Sequence, residues 1–440
     1  MLEKIGLGDL EQASAREKFT FFGVLFLTFF LFADQNVAAA NLSRIGAEFG
    51  FTQEKDYRWY IGSLVSLCFF ALGGLLSVYA GVLNDKFSAK GRLYTLILVS
   101  FMGELACAAS GLAPNYAVYL ATRTLTGVGL GGIYPLIFSA MGDYFRPANR
   151  PIASGYLGLA MGLGIALGQL IGGFLAHSEF LGLSGWRIAF ILMALPSFPL
   201  LLLLLLWGKL PERGKMDPGH SPEEHPVHLS DVRSIFSVKT NLLVFAQSIP
   251  GCVPWGLLFT YVVDYYEKNK GFHVEEANLL VMLFGGFAIM GAFVGGYLGA
   301  FFYRLRHEYL PLFCGLTILL GMIPTFIIIN YTGKTIAPMF LVAILGGLIT
   351  PLTGPNVRAI LANTNLPEHR GSVFALFNLT DDLGKGLGPF FVGLLLLIFE
   401  PEIAYNVAVA FWLISGIIWF FMPSQMVRDE ELVTQTLKQR

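Results

Sequence analysis

The chain has 440 residues, of which 55% are hydrophobic and only 13% charged, with a formal net charge of −1. Soluble domains average roughly 45–50% and 25%, and one soluble core stops growing at about 250–300 residues, so these proportions exclude an ordinary water-soluble globule and call for a lipid bilayer. The near-zero charge provides no basic field for DNA or RNA, so no nucleic acid is expected.

Residues 1–18 are charged and lack an apolar segment followed by a small-residue cleavage site, which predicts no cleaved signal. A bilayer core of about 30 Å takes ~20 apolar residues per helix, and twelve such runs follow. Spans at 19–41, 58–83, 92–113, 115–144, 152–177 and 186–207 form an N-terminal half, 19–207. The polar stretch 208–240, with Pro211, Pro218 and Pro226, reads as a linker. Spans at 241–266, 275–303, 309–330, 336–362, 371–399 and 403–423 form a C-terminal half, 241–424, before a tail at 425–440. The expected class is an all-α integral membrane protein with twelve transmembrane helices in two pseudo-symmetric six-helix halves. A shift of 220 positions superposes Arg150 on Arg370, and Gly164, Gly168 and Gly173 on Gly384, Gly388 and Gly393, as duplication requires.

Nineteen basic residues fall on the side of the termini and linker, against seven opposite (Arg44, Lys55, Arg58, Arg187, Lys268, Lys270 and Lys334). The excess predicts that both termini are cytoplasmic, in a plasma (inner) membrane. Cys68, Cys107, Cys252 and Cys314 all lie in apolar runs, so no disulfide framework is implied. Nothing demands more than a monomer.

Ionisable side chains at membrane depth carry functional information, because each is costly unless paired or wet. With ~1.5 Å of rise per residue, Asp34 lies about fifteen residues into the first span and Arg123 about eight into the fourth, both in the outer half. An acid beside a guanidinium can couple protons: protonating Asp34 frees Arg123 for an anion, and deprotonation restores the pair. A permanent ion pair that fixes helix packing is the alternative. Glu104, in the third span, is either protonated and buried against another helix or hydrogen-bonded there.

Pro250-Gly251-Cys252-Val253-Pro254-Trp255 and Thr350-Pro351-Leu352-Thr353-Gly354-Pro355 are expected to break the seventh and tenth spans. Broken helices flank substrate sites, although kinks used only for packing give the same pattern. In the eleventh span, Asp381 and Lys385 stand at i and i+4 and can pair. Asp382, turned about 100° away, then needs Arg358 or a proton, since adjacent carboxylates in a low dielectric resist double ionisation. A static Asp381–Lys385 pair with Asp382 at a wet wall is equally consistent. Arg358, near the end of its span, can also snorkel. Gln35, Asn36, Tyr134, Gln247, Trp255, Tyr261 and Asn378 can complete a cavity.

The second span ends in Gly81-Val82-Leu83-Asn84-Asp85-Lys86, and Lys90-Gly91-Arg92 opens the third. This resembles the loop signature of the major facilitator superfamily. Gly81 permits close helix approach and Asp85 can pair across the loop or with a neighbouring helix N-terminus. Gly81, Asp85, Lys86 and Arg92 are therefore expected to latch the halves together; a charged turn that merely stops two helices is the alternative. Arg123-x-x-x-Gly127-x-Gly129-x-Gly131-Gly132 is similar to the superfamily's fourth-helix motif, and Gly155, Gly158, Gly162, Gly164, Gly168 and Gly172-Gly173 to its fifth helix. In the second half, Ala300 replaces the acid of the loop signature, so a second latch is absent or relies on Arg304 and Arg306. The resemblance implies the superfamily fold, with the first and fourth helices lining a central cavity. Phe32-Ala33-Asp34-Gln35 and Arg123 further resemble the spinster-like lipid transporters, with Gln35 where a basic residue usually follows the acid and Leu130 where a glutamate usually stands.

These readings lead to a secondary active transporter that moves a small organic or amphipathic solute, including a lysolipid- or sphingolipid-like one, by alternating access. Proton coupling is expected through Asp34, Arg123, Asp381, Asp382 and Lys385. An organic-anion or drug carrier is the alternative cargo reading, and a channel or receptor the rival class. No enzyme is expected, because motifs for zinc, acyl-serine and nucleotide-hydrolysing chemistry are lacking. His220, His225 and His228 cluster in the linker without cysteine, so no metal and no cofactor is predicted.

Overall fold

A computed structural model describes residues 2–38, 41–176, 178–180, 182–218, 232–396 and 398–439. A backbone removed from water must satisfy its own polar groups, so the long apolar runs become helices. The first six are α1 (Ala15–Asn36), α2 (Trp59–Lys86), α3 (Ala89–Gly111), α4 (Tyr116–Tyr144), α5 (Arg150–Phe174) and α6 (Gly185–Trp207). The second six are α7 (Lys239–Thr260), α8 (Val274–Leu305), α9 (Tyr309–Asn330), α10 (Ala337–Asn363), α11 (Arg370–Leu396) and α12 (Pro401–Phe420). A further helix, α13 (Pro423–Gln439), closes the chain. Counted among the described residues, ten of these helices are long and apolar enough to cross a membrane. Helix α1 starts earlier than its apolar run because a capping box satisfies its first turn: Ser14 N–H donates to Glu17 Oε2 at 2.8 Å, and Glu17 N–H to Ser14 Oγ at 3.3 Å.

The two halves repeat one packing plan. Helix α1 packs on α5, α2 on α4 and α3 on α6; in the second half α7 packs on α11, α8 on α10 and α9 on α12. Small residues set the spacing of these seams. A Cβ added at Gly127 would run into the Phe69 backbone, and one at Gly131 into that of Gly73, so α2 and α4 touch backbone to backbone.

The halves meet where α2 and α4 contact α11, α5 contacts α8, and the last turns of α10 contact α5. This end also carries the linker and both terminal segments. Arg16 donates to the Trp207 and Gly208 carbonyls, Asn149 donates to Asp9, and Asp429 of α13 accepts from Thr240. Of the linker, 208–218 and 232–240 are described, the last two residues as the start of α7; His220, His225 and His228 lie outside the described residues, as does Arg440.

Two expected interruptions turn out differently. In α10, Thr350–Thr353 tightens into a 3-10 turn, because Pro351 cannot donate to the preceding turn. Helix α7 instead runs unbroken through Pro250 and Pro254. Along this stretch Trp412 Nε1 of α12 donates to the Gly251 carbonyl at 2.8 Å. The chain turns only at Tyr261, before the short helix Val262–Lys268.

Candidate functional site

The contact between halves is built on charges. Asp85, the penultimate residue of α2, accepts from the N–H groups of Gly371 (2.8 Å) and Ser372 (2.6 Å) at the start of α11. These are the donors that a helix N-terminus leaves without partners, so an acid of one half caps a helix of the other. Gly81 permits this approach: a Cβ there would overlap the Gly371 carbonyl. Lys86 is exposed. Arg92 turns into its own half, Nη2 lying 2.7 Å from Asp143 Oδ2 and Nε donating to Asn84 Oδ1 at 3.3 Å.

Arg150 and Arg370, the residues superposed by the 220-residue shift, open α5 and α11. Both are buried, and each donates through Nη2 to Asp217 Oδ1, at 2.6 and 2.7 Å. Asp217 comes from the linker. Burial alone would push its carboxyl up, but the Arg150 and Arg370 charges outweigh burial and hold it below the usual carboxylate range. Arg370 also faces Asp143, Nη1 to Oδ1 at 3.6 Å, and Arg150 Nη1 reaches Asn363 Oδ1 of α10 at 2.8 Å. Arg213, again from the linker, donates to the Asn84 and Asp85 carbonyls, both at 2.7 Å. At the counterpart position in the second half, Ala300 is buried, Arg304 donates to Asn149 Oδ1, and Arg306 lies over the Tyr309 ring.

Further along the bundle, a cavity of about 50 Å³ lies between α1, α2, α4 and α11. Gln35, Tyr134, Asn378 and Asp382 line it together with Phe32, Phe69 and Phe70. Asn378 Nδ2 donates to Asp382 Oδ2 at 3.0 Å. Arg358 does not take Asp382; its Nε donates to the Tyr134 hydroxyl at 2.7 Å, with the guanidinium over Phe138. Asp381 points to α7, where Cys252 Sγ donates to its Oδ1 at 3.1 Å. The side chain of Lys385 lies outside the described residues. The remaining candidates sit away from this cavity. Gln247 Oε1 accepts from Ser415 Oγ and Trp419 Nε1 of α12, Trp255 packs on Phe284 and Trp412, and Tyr261 packs on Tyr405. Asn36 is half-buried at the end of α1.

Asp34 and Arg123 are brought together, but backbone to side chain. Arg123 Nη2 donates to the carbonyls of Asp34 (3.2 Å) and Gln35 (3.4 Å), and its guanidinium lies 5.0 Å from the ring centres of both Phe69 and Phe190. The Asp34 carboxyl faces Glu104 and Cys107 of α3.

Asp217, Arg213 and Asp143 escape the sequence reading. The usable signal was the Arg150/Arg370 match: two buried guanidiniums at equivalent helix starts demand an acid, and the linker between the halves is the segment free to supply one to both.

The family described as Major Facilitator Superfamily matches residues 24–352 and 265–436. A stretch of 166 residues is 30% identical to the niacin transporter NiaP of Acinetobacter baylyi, covering 36% of this chain and 35% of that relative's length. Among solved structures, the human organic anion transporter MFSD10 (TETRAN) superposes with a TM-score of 0.73 at 15% identity, over 92% of this chain and 100% of the other. A bacterial homolog to the human lysosomal transporter Spinster, inward-facing and unoccupied, superposes with a TM-score of 0.63 at 19% identity, over 95% and 99%. At these identities the structural likeness is one of fold.

Proposed function

The chain belongs to the major facilitator superfamily and has its twelve-helix fold, and on that premise we propose that it is a secondary transporter of a small organic or amphipathic solute. One observation carries the reading. A cavity lies between the halves, and the end bearing the linker is sealed by polar contacts that can separate as a set, Asp85 on α11 and Asp217 between Arg150 and Arg370. The cavity has room for a few waters only, so a solute enters and leaves by movement of the halves, which is alternating access. Its wall combines the rings of Phe32, Phe69 and Phe70 with Asp382, Asn378 and Gln35, a mixture suited to a cargo with one apolar and one polar end, lysolipids included. An organic anion is the second reading, favoured by Arg358 on the cavity-lining Tyr134 hydroxyl and in line with the human fold neighbour, an organic anion transporter.

Proton coupling is part of the proposal, with Asp34 and Asp382 as the acids that exchange protons. The linker, both termini and the Asp85 latch face the cytoplasm of a plasma (inner) membrane, and a monomer suffices. The activity is transport, with no catalytic step.

A thermal-shift screen of the purified full chain against lysolipids, organic phosphates and carboxylates finds the cargo class, because a ligand of the folded state raises its stability. Counterflow of the stabilising compound in proteoliposomes then saturates with concentration. Conductive, non-saturating flux would put the chain among channels. Asp34→Asn and Asp382→Asn alter the pH dependence of uptake; a pH profile unchanged in both variants overturns the coupling assignment.

A further inference from the structure

A pair of acids lies apart from the solute cavity, between α1, α3 and α6. Asp34 and Glu104 are fully buried and face each other where α1 packs on α3. Ser197 Oγ of α6 donates to Glu104 Oε1 at 2.6 Å. Among the described residues no hydrogen bond satisfies Glu104 Oε2 or either oxygen of Asp34. Two ionised carboxylates are acceptors only and have no hydrogen to share; one added proton converts their contact into a charge-assisted O–H···O bond.

The other titratable or charged groups facing the pair are Cys107 on α3 and Arg123 on α4, with Tyr119 of α4 next to Cys107 and Arg123 rather than to the carboxyls; α6 contributes the neutral Ser197. Arg123 is buried and holds the carbonyls of Asp34 and Gln35, while its Nε and Nη1 have no acceptor. Two carboxylates sharing one proton carry one negative charge, so together with Arg123 the cluster is neutral. Without that proton its net charge is −1, which a water-excluded site disfavours.

We propose that Asp34 and Glu104 share a single proton and form one proton-binding site of the transporter, alongside Asp382, with Arg123 as the positioning residue that relays its loss. This deepens, and rests on, the proton-coupled reading above. The step is a proton transfer only. A water-borne proton adds to one carboxylate oxygen, and no bond between heavy atoms changes. When the proton leaves, the doubly charged pair draws the free Nε and Nη1 of Arg123. The guanidinium then loosens its hold on the Gln35 carbonyl, and Gln35 lines the solute cavity. Proton occupancy and cavity shape are thereby linked through one side chain.

The test is an infrared pH titration of the carboxylic-acid carbonyl band of the full chain in lipid nanodiscs, recorded as wild type minus Asp34→Asn. The expected result is a deuterium-sensitive band at neutral pH. It disappears in Glu104→Gln, or its midpoint moves by about one pH unit or more, which is a tenfold change in proton affinity. Ser197→Ala, which removes only the hydrogen bond to Glu104, moves the midpoint by less and serves if Glu104→Gln fails to fold. No such band between about pH 5 and pH 8, or the same midpoint in both variants, overturns the proposal. Wild-type proteoliposomes separate the two levels: a normal band with solute flux indifferent to a pH gradient sinks the coupling reading and leaves the shared proton intact.

Discussion

At the linker end, Asp85, Asp143 and Asp217 meet Arg92, Arg150, Arg370 and two helix N–H groups, so each buried acid has a cation or a backbone donor beside it. Around Asp34 the same side-chain types are arranged the other way, acid against acid, with a guanidinium spent on carbonyls. A paired buried charge that loses its partner is strongly destabilising, so the first cluster acts as a set of contacts that are all made or all broken. An unpaired buried charge is relieved by a proton, so the second cluster is suited to exchange. On the proposed reading, one chain uses buried charge in two ways, to hold two bodies together and to register proton occupancy.

The strongest way to break this contrast is Asp217→Ala. It leaves Arg150 and Arg370 buried with their shared acid gone, at a cost of ~3–5 kcal/mol to the closed linker end, enough to shift a two-state population almost completely. A cysteine placed at Ser372, buried in this structure, should then react with an impermeant maleimide. Continued protection would remove Asp217 from the latch.

A smaller effect is expected from Asp85→Asn. The amide oxygen still accepts from the α11 N-terminus, but the charge is lost, costing ~1–2 kcal/mol. Turnover should change while solute affinity does not; unaltered turnover would argue against the latch.

The two clusters also differ in their response to pH. The Asp217 carboxyl is held below the usual range, so its contribution is present above the ordinary carboxylate value and is lost only as pH falls through the depressed one. Labelling at position 372 should therefore stay low through mildly acidic pH and rise only in stronger acid.

The least effect belongs to α13. Its Glu430 lies 2.8 Å from His307 Nδ1 and accepts from Tyr303, and the Glu430 hydrogen bond raises the imidazole's proton affinity. The contribution is complete below the ordinary histidine value and fades as pH rises through the raised one. Because His307 is half exposed, the effect is slight. Hydrogen exchange in α13 should speed up modestly at alkaline pH in the wild type and lose that dependence in His307→Gln.

The twelve spans are legible in the sequence because bilayer thickness imposes a length on each apolar run. Duplication is legible at Arg150 and Arg370, where a charged residue is too costly to be repeated idly. Asp217 is not, since an acid in a polar linker is commonplace until the fold brings both arginines to it. The continuity of α7 is not legible, because two prolines four residues apart read locally as a break and the helix nevertheless runs through both. Glu104 stands out as a charge in an oily span, but its partner is set by the spacing of α1 and α3, information that lies in helix packing. The cavity residues Gln35, Tyr134, Asn378 and Asp382 are recognisable as polar groups within apolar runs.

If the halves part at the linker end, a distance measured across that end takes two values. Spin labels at Lys90 and Arg306, exposed residues of opposite halves beside the linker, can be measured by double electron–electron resonance in nanodiscs. A short and a long population are expected, with Asp217→Ala driving the molecule to the long one and Asp85→Asn shifting it part of the way. A single short distance, unmoved by either substitution, would contradict the parting of the halves.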